Sequence, residues 1–270
     1  MFVLVLSDLH QNWLFRSDFL ICHLQSTFTL IKRLEFHSMG KTVLDDAYLE
    51  SLYRIAFERI TSHFPNEKKV IVEIGAGKGV SRGFLPTAIL TDIAFDPSLD
   101  INCSSHELPL KSASVDAIAL KDTLHHLPDV EKFLHEAHRV LRIGGSIVIF
   151  DPYWGIAAKL VYRFIHQEKF DSRAETWRFA SSSPWDSNQA LSYLLLRRDR
   201  EKFENQFSKF SIKEHEVLIG PSFLLSGGVS RRTMISARFL NRLLNWEMRQ
   251  SSWFNSLRFF HIFSLTKLSE

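Results

Sequence analysis

The sequence predicts an α/β fold, a doubly wound, Rossmann-like sheet of seven mostly parallel strands with an α-rich insertion or lid. Short apolar runs, typical of buried strands, alternate with helical patterns between residues 70 and 152. The first run, 70–72, is followed by an acid and then by glycines at every second position. Two alternating stretches, 210–219 and 259–268, supply the last two strands as an antiparallel hairpin.

Each element follows from its own pattern. Apolar residues at helical spacing predict a helix over 45–63, with two acidic residues at its start. The same spacing predicts a second helix over 128–141, with a proline in its first turn and a stop signal at Gly144 and Gly145. The other strands are predicted at 88–92, 100–103, 113–121 and 146–151. In such a sheet we expect the ligand at the carboxyl ends of the parallel strands.

Four segments are expected along the chain. Residues 1–40 form an N-terminal extension without an assigned role, since they lack periodicity and Met39 is a plausible alternative start. Residues 41–152 form the ligand-binding core, and 153–208 an insertion that covers the substrate. Residues 209–270 supply the strands and helix that complete the sheet.

Composition narrows the class of protein. The 270 residues are 45% hydrophobic with a net charge of +3, which suits a globular chain. The sequence contains no long Lys/Arg block, so a nucleic-acid partner is not expected. Cys22 and Cys103 lie far apart, so neither a disulfide framework nor a zinc site is expected, and a cytoplasmic setting fits best. The apolar start, 1–6, is too short for a signal or a membrane span.

The glycines Gly75, Gly77 and Gly79 would let a backbone turn approach a nucleotide closely. A dinucleotide fingerprint needs G-x-G-x-x-G, but here the third glycine comes one residue early and Val80 stands in its place. This spacing disfavours a nicotinamide cofactor, and a nicotinamide-dependent oxidoreductase stays an alternative.

Six segments in order and spacing resemble the class I S-adenosylmethionine (SAM)-dependent methyltransferases of the type 11 group. They are 70–79, 91–92, 107–110, 115–116, 124–129 and 139–145. The resemblance covers about residues 68–152, while 164–171, 188–190 and 225–230 resemble an uncharacterised bacterial branch found near polysaccharide-assembly genes. It implies SAM as the cofactor and methyl transfer to a small-molecule or glycan acceptor, at oxygen by family context.

The resemblance also implies a cofactor site. Glu73 would engage the methionine end of SAM, while the turn of Gly75, Ala76, Gly77 and Gly79 approaches the ligand. Asp92 would accept hydrogen bonds from both ribose hydroxyls, and the structural alternative for this residue is a helix N-cap or a turn acid.

The adenine end departs from the family pattern. The family carries an Asp-Ala pair there, where this chain has Ser104 and Ser105, and Ser104 can still accept a hydrogen bond. The departure keeps open a catalytically inactive SAM-binding partner protein as an alternative function.

Candidate catalytic residues follow the fourth predicted strand. Lys121 or Asp122 would contact the ammonium group of SAM or the acceptor, with Asp122 favoured by its charge. His126 is the candidate general base, with His125 beside it, and a histidine that caps the next helix is an equally good interpretation. No metal is expected, because Asp122, His125 and His126 on one turn need not converge on one point.

The later segments carry features of weaker meaning. A polar cluster of His166, Glu168 and Asp171 could meet hydroxyl groups of a sugar or form a solvated helix face. Aromatic residues that could stack on an acceptor or pack in the core are Tyr153, Trp154, Trp177 and Trp185. Arginine mixed with aromatic residues over 231–253 is typical of peripheral contact with a membrane and, more often, of amphipathic packing.

Overall fold

The computed structural model describes residues 46–66, 70–164, 168–183, 185–228 and 235–270. They all fall within one compact unit, 43–270. The extension predicted for 1–40, together with His166, lies outside the described residues.

A seven-stranded sheet forms the centre of the fold, in the order β3-β2-β1-β4-β5-β7-β6. β1 to β5 pair in parallel, whereas β7 runs antiparallel to both β5 and β6. The strands are β1 (Ile71–Ile74), β2 (Ile89–Asp92), β3 (Ile101–Asn102), β4 (Val115–Lys121), β5 (Leu141–Pro152), β6 (Phe210–Leu218) and β7 (Phe260–Lys267). The predicted fold class and its closing antiparallel hairpin are confirmed.

Helices cover both faces of this sheet. They are α1 (Ala47–Ser62), α2 (Val130–Val140), α3 (Ile156–Phe164), α4 (Leu191–Tyr193, continued by a π-helical turn Leu194–Arg198), α5 (Arg200–Gln206), α6 (Pro221–Ser226) and α7 (Ala237–Met248). Short 3-10 turns lie at Val80–Gly83, Leu124–His126 and Ser252–Leu257. The segment predicted as an α-rich insertion therefore holds α3, α4 and α5.

Two buried clusters hold the layers together. On one face α2, α4 and α5 pack against β4 and β5 through side chains such as Phe133, Ile118 and Ile149. On the other face α1, α3 and α7 pack through side chains such as Phe57 and Leu244. The sheet is thus buried on both sides, as the continuous apolar strands predict.

Local signals set most of the boundaries. Asp46 caps α1 by accepting from the Tyr48 and Leu49 backbone N–H groups. The predicted start of β5 is wrong: the strand begins at Leu141, before the two glycines rather than after them. A register shift against β4 occurs there, and a Cβ on Gly145 would lie 2.9 Å from the Arg142 carbonyl oxygen. Glycine here permits an irregular strand start, a role that sequence patterns do not separate from a turn.

No helix within the described residues is long and apolar enough to cross a membrane. In α7, Leu240 and Leu244 are buried, whereas Phe239 and Trp246 are exposed. One face of this helix therefore packs into the buried cluster beside α1 and α6. Peripheral membrane contact through the other face stays a prediction.

Trp177 ties the insertion to the core and gives a test of that packing. Its side chain is fully buried, and its Nε1 donates to Asp199 Oδ2 at 2.8 Å. Trp177→Ala is expected to lower the free energy of unfolding by about 3–5 kcal/mol in urea denaturation, because a large cavity remains and the hydrogen bond to Asp199 is lost. Trp253→Ala, at a side chain that is 66% exposed, is the control and should cost about 0.5 kcal/mol or less. Equal losses in the two variants would contradict the packing described.

Candidate active site

The glycine turn after β1 is built from residues that tolerate left-handed backbone. Gly75, Gly77 and Gly79 have φ values of +76°, +57° and +66°. A Cβ on Gly75 would lie 2.4 Å from the Thr123 side chain, so this turn packs directly on the loop that follows β4. The N–H groups of Gly75 and Ala76 both donate to the Thr91 carbonyl, at 2.9 and 3.0 Å. The turn is thereby fixed against both neighbouring strands.

Asp92 lies at the carboxyl end of β2 with its carboxylate against this turn. Its Oδ2 accepts from the Gly77 N–H at 2.8 Å, and its Oδ1 accepts from the Ala94 N–H at 2.8 Å. The second bond makes Asp92 a turn acid as well, so the two interpretations of this residue are compatible. Each carboxylate oxygen keeps further capacity to accept.

Glu73 is almost fully buried near the end of β1. Ser81 donates a hydrogen bond to its carboxylate, and β1 pairs with β4 so that Glu73 lies opposite Ala119. Burial raises the pKa of Glu73 to about 7, while the Ser81 hydrogen bond and the charge of Lys121 act in the opposite direction. Glu73 therefore exchanges its proton near neutral pH in the absence of a bound cation.

Lys121 and Asp122 end β4 as a close pair. The Lys121 Nζ lies 2.5 Å from Asp122 Oδ2 and 3.8 Å from the centre of the Tyr53 ring. Burial opposes the ammonium charge, but Asp122 and Tyr53 outweigh it and raise the pKa of Lys121. Asp122 has a φ of +52°, and its buried Oδ1 has no hydrogen-bond partner. Lys121 is thus satisfied by protein groups, whereas Asp122 keeps a free acceptor.

His125 is held by a buried carboxylate. Its Nδ1 lies 2.8 Å from Oδ1 of Asp151, which is fully buried at the end of β5. The Ser192 hydroxyl donates to the other oxygen of Asp151 at 3.0 Å. Burial disfavours charge on the ring, but Asp151 and Glu168 outweigh it and raise the pKa of His125.

His126 and Glu168 complete a polar cluster with His125. The two imidazole rings have their centres 4.3 Å apart, and Nε2 of His125 lies 3.7 Å from Glu168 Oε2. The Nδ1 of His126 is 3.3 Å from the Asp186 carbonyl oxygen. Burial and the neighbouring His125 lower the pKa of His126. Neither histidine caps the next helix, because Asp129 does so by accepting from the Lys132 N–H at 2.9 Å.

Other residues named from the sequence make their contacts outside this cluster. Ser104 accepts from the His106 N–H at 3.2 Å, which closes a turn after β3 that Ser105 shares. Asp171 pairs with Lys169, 2.9 Å away. Trp177 belongs to the core, so the packing interpretation is correct for this aromatic residue.

Sequence reasoning assigned no role in the site to three residues of the cluster. Asp151 lies against His125, the Gln189 amide donates to Glu168, and the Ser192 hydroxyl donates to Asp151. Asp151 had a usable signal, since it ends a predicted parallel strand as Asp92 and Asp122 do. Ser192 and Gln189 lie on a distant segment and carry no such signal.

Comparison with known proteins identifies a known type of domain in part of this chain. Residues 72–149 match the family model described as "Methyltransferase domain". A stretch of 59 residues is 37% identical to an uncharacterized 37.1 kDa protein in transposon TN4556 of Streptomyces fradiae. That match covers 22% of this chain and 17% of the length of that protein.

Solved structures with a similar fold include three bacterial or archaeal proteins. A SAM-dependent methyltransferase from Archaeoglobus fulgidus is 13% identical, with 80% of this chain and 93% of that chain covered and a TM-score of 0.47. One from Thermotoga maritima is 16% identical, with 88% and 96% covered and a TM-score of 0.47. The YcgJ protein from Bacillus subtilis is 14% identical, with 81% and 99% covered and a TM-score of 0.42.

The family match confirms a methyltransferase domain at residues 72–149, which agrees with the predicted class of enzyme and with SAM as its predicted cofactor. It lends no support to the nicotinamide-dependent oxidoreductase or to an inactive binding partner. The acceptor, its reacting atom and the individual site residues stay predictions, as does a cytoplasmic location.

Glu73→Gln tests the buried carboxyl of the site. The folded-state pKa of about 7 lies above the unfolded value, so the wild type loses stability as the pH rises from about 4.5 through 7. The variant has no such loss. Its unfolding free energy relative to wild type should therefore increase by about 2 kcal/mol between pH 5 and pH 8 in denaturant titrations. Glu175→Gln, at an exposed carboxyl, should show no such increase, and a Glu73→Gln difference independent of pH would contradict the account.

Proposed function

We propose that this chain is a SAM-dependent methyltransferase, through the methyltransferase domain at residues 72–149, and that it methylates a hydroxyl oxygen of a small-molecule or glycan acceptor. One observation carries the proposal. Asp122 has a buried oxygen without a hydrogen-bond partner, and in the chain it lies between β4 and the turn of Thr123, which packs on Gly75, and of His125 and His126, which form the polar cluster with Glu168. A hydroxyl group can donate to that oxygen and be held by the neighbouring polar side chains.

The residues around the glycine turn fit SAM. A side chain at Gly75 would collide with Thr123 and would adopt strained backbone, so only a bare Cα lets this turn lie directly against the loop after β4. We assign the ribose hydroxyls to Asp92 and the methionine end to Glu73, with Gly77 and Gly79 forming the wall of the site. When bound, SAM supplies a methyl group on a positively charged sulfur, an activated group for displacement.

The adenine end is assigned to the turn after β3. Ser104 and Ser105 follow Asn102, the last residue of a strand that pairs with β2 directly beside Asp92. The Ser104 hydroxyl can accept from the adenine amino group in addition to the His106 N–H, and backbone groups of the turn supply the remaining bonds. The two serines thus replace the family's Asp-Ala pair without removing every acceptor.

The acceptor is held on the other side of Thr123. His125, fixed by Asp151, and His126, fixed by the Asp186 carbonyl, present polar edges toward Glu168. Bound SAM would supply its methyl group to the acceptor oxygen, and the electron pair of the broken carbon–sulfur bond would leave with S-adenosylhomocysteine. Asp122 takes up the hydroxyl proton at Oδ1, and most of the rate comes from holding the reactants in line.

Binding of S-adenosylhomocysteine tests the cofactor assignment. Calorimetric titration should show micromolar binding to the wild type and binding at least about 100-fold weaker for Asp92→Ala, since two hydrogen bonds to a charged acceptor are lost. Glu175→Ala serves as the matched control and should bind like wild type. Equal affinity in wild type and Asp92→Ala would contradict the assignment.

Turnover tests the role of Asp122. With a hydroxyl acceptor from a panel of free sugars, glycosides and alcohols, Asp122→Asn should lower kcat by about 100-fold or more while S-adenosylhomocysteine affinity changes less than about threefold. Asparagine suits the left-handed backbone at this position. Glu175→Ala should keep full turnover. Methylation of amines alone would contradict the proposed acceptor class, and cofactor binding without turnover across the panel would favour a SAM-binding partner protein instead.

A further inference from the structure

Three side chains from two distant segments converge beside the acceptor position. His125 and His126 lie in the turn after β4, and Glu168 follows α3. One ring nitrogen of each histidine and one carboxylate oxygen of Glu168 lie within 4.8 Å of one another. This spacing is within reach of a common metal ion after small side-chain rotations, because metal–ligand bonds of about 2.0–2.2 Å place neighbouring ligand atoms about 3 Å apart.

Each of the three groups is also oriented by a second partner. The Nδ1 of His125 is bound to buried Asp151, and the Nδ1 of His126 faces the Asp186 carbonyl oxygen. Such bonds hold the proton on Nδ1 and leave the lone pair of Nε2 free to bind a metal. Glu168 is oriented by the amide of Gln189. Carboxylate or carbonyl partners behind each ligating imidazole are the usual second layer of a metal site.

We propose that His125, His126 and Glu168 bind one divalent transition-metal cation, of which Zn²⁺ is the best representative. Two imidazoles and one carboxylate favour Zn²⁺ and related first-row ions over Mg²⁺, which prefers oxygen ligands. Three protein ligands leave at least one position for an outside oxygen, as in catalytic rather than structural zinc sites. No metal was expected from the sequence, because the three candidate ligands there were Asp122, His125 and His126. In the structure the third ligand is Glu168, from a distant segment.

The role of the cation rests on the proposed function, although its binding does not. A hydroxyl oxygen in the open position would become more acidic, so that it gives its proton to Asp122 more readily. The class of acceptor then narrows to one with an oxygen that can coordinate a metal, such as a sugar hydroxyl. Asp151 acts here as a positioning residue, since it touches His125 and not the acceptor.

Metal binding to the chelator-treated protein tests the inference directly. Calorimetric titration with ZnCl₂ and the visible absorption of added Co²⁺ should both give one ion per chain. Binding should weaken by at least about 100-fold in His126→Ala and in Glu168→Gln, and by about 10- to 100-fold in Asp151→Asn. His135→Ala removes an exposed histidine outside the cluster and should leave binding unchanged. Mg²⁺ alone should produce no saturable heat.

Opposite results overturn the inference. No stoichiometric Zn²⁺ binding to the folded wild type, or binding unaffected by both His126→Ala and Glu168→Gln, would mean that the cluster is an ion pair between His125 and its two carboxylates. Circular dichroism verifies folding of each variant, and titration of S-adenosylhomocysteine on the same samples separates the two claims. Cofactor binding without metal binding defeats this inference alone, whereas metal binding without cofactor binding defeats the proposed function.

Discussion

The close contact between Gly75 and Thr123 is the constraint on which the site depends. A Cβ at Gly75 would lie 2.4 Å from the Thr123 side chain, so only a glycine lets the turn after β1 pack on the loop after β4. Thr123 also donates to the Lys121 carbonyl at 2.9 Å, which fixes the loop in turn. Asp122 and the two histidines flank Thr123 in the chain. The proposed cofactor wall and the proposed acceptor cluster are therefore two sides of one packed junction.

Charge at this junction favours a cationic ligand. Among the described residues, Glu73, Asp122, Asp151 and Glu168 place carboxyl groups at one edge of the sheet, and Lys121 is the buried ammonium that offsets them. Burial raises the pKa of both Glu73 and Asp151, because removal from water disfavours their charged forms. The positive sulfur of SAM or a divalent cation close to these carboxylates would favour their charged forms. The same electrostatic state thus supports both proposals.

The fold and the glycine turn could be predicted because their signals are local. Alternating strands and helices, the spacing of Gly75 to Gly79 and an acid at the end of β2 are all visible along the chain. The start of β5 could not be predicted, because Gly144 and Gly145 suit either a turn or an irregular strand. Only the pairing of the strand with β4 distinguishes these two structures. Position in a parallel sheet could have added Asp151, whose strand ends at the same edge as β2 and β4.

Residues that join the site from a distance were beyond the sequence alone. Ser192 and Gln189 act through Asp151 and Glu168, and no spacing links them to the turn after β4. Glu168 was visible as a polar residue, but its convergence with His125 depends on the path of the chain between β5 and α4. Tertiary packing determines such contacts, and neither hydrophobic periodicity nor a local sequence motif reveals them.

A crystal structure of the protein with S-adenosylhomocysteine tests the central claim most directly, because it measures where the cofactor lies relative to the junction. The account predicts the ribose hydroxyls within hydrogen-bond distance of the Asp92 carboxylate and the sulfur facing the loop of Asp122 and His125. A ligand bound elsewhere, or one whose sulfur points away from that loop, would contradict it.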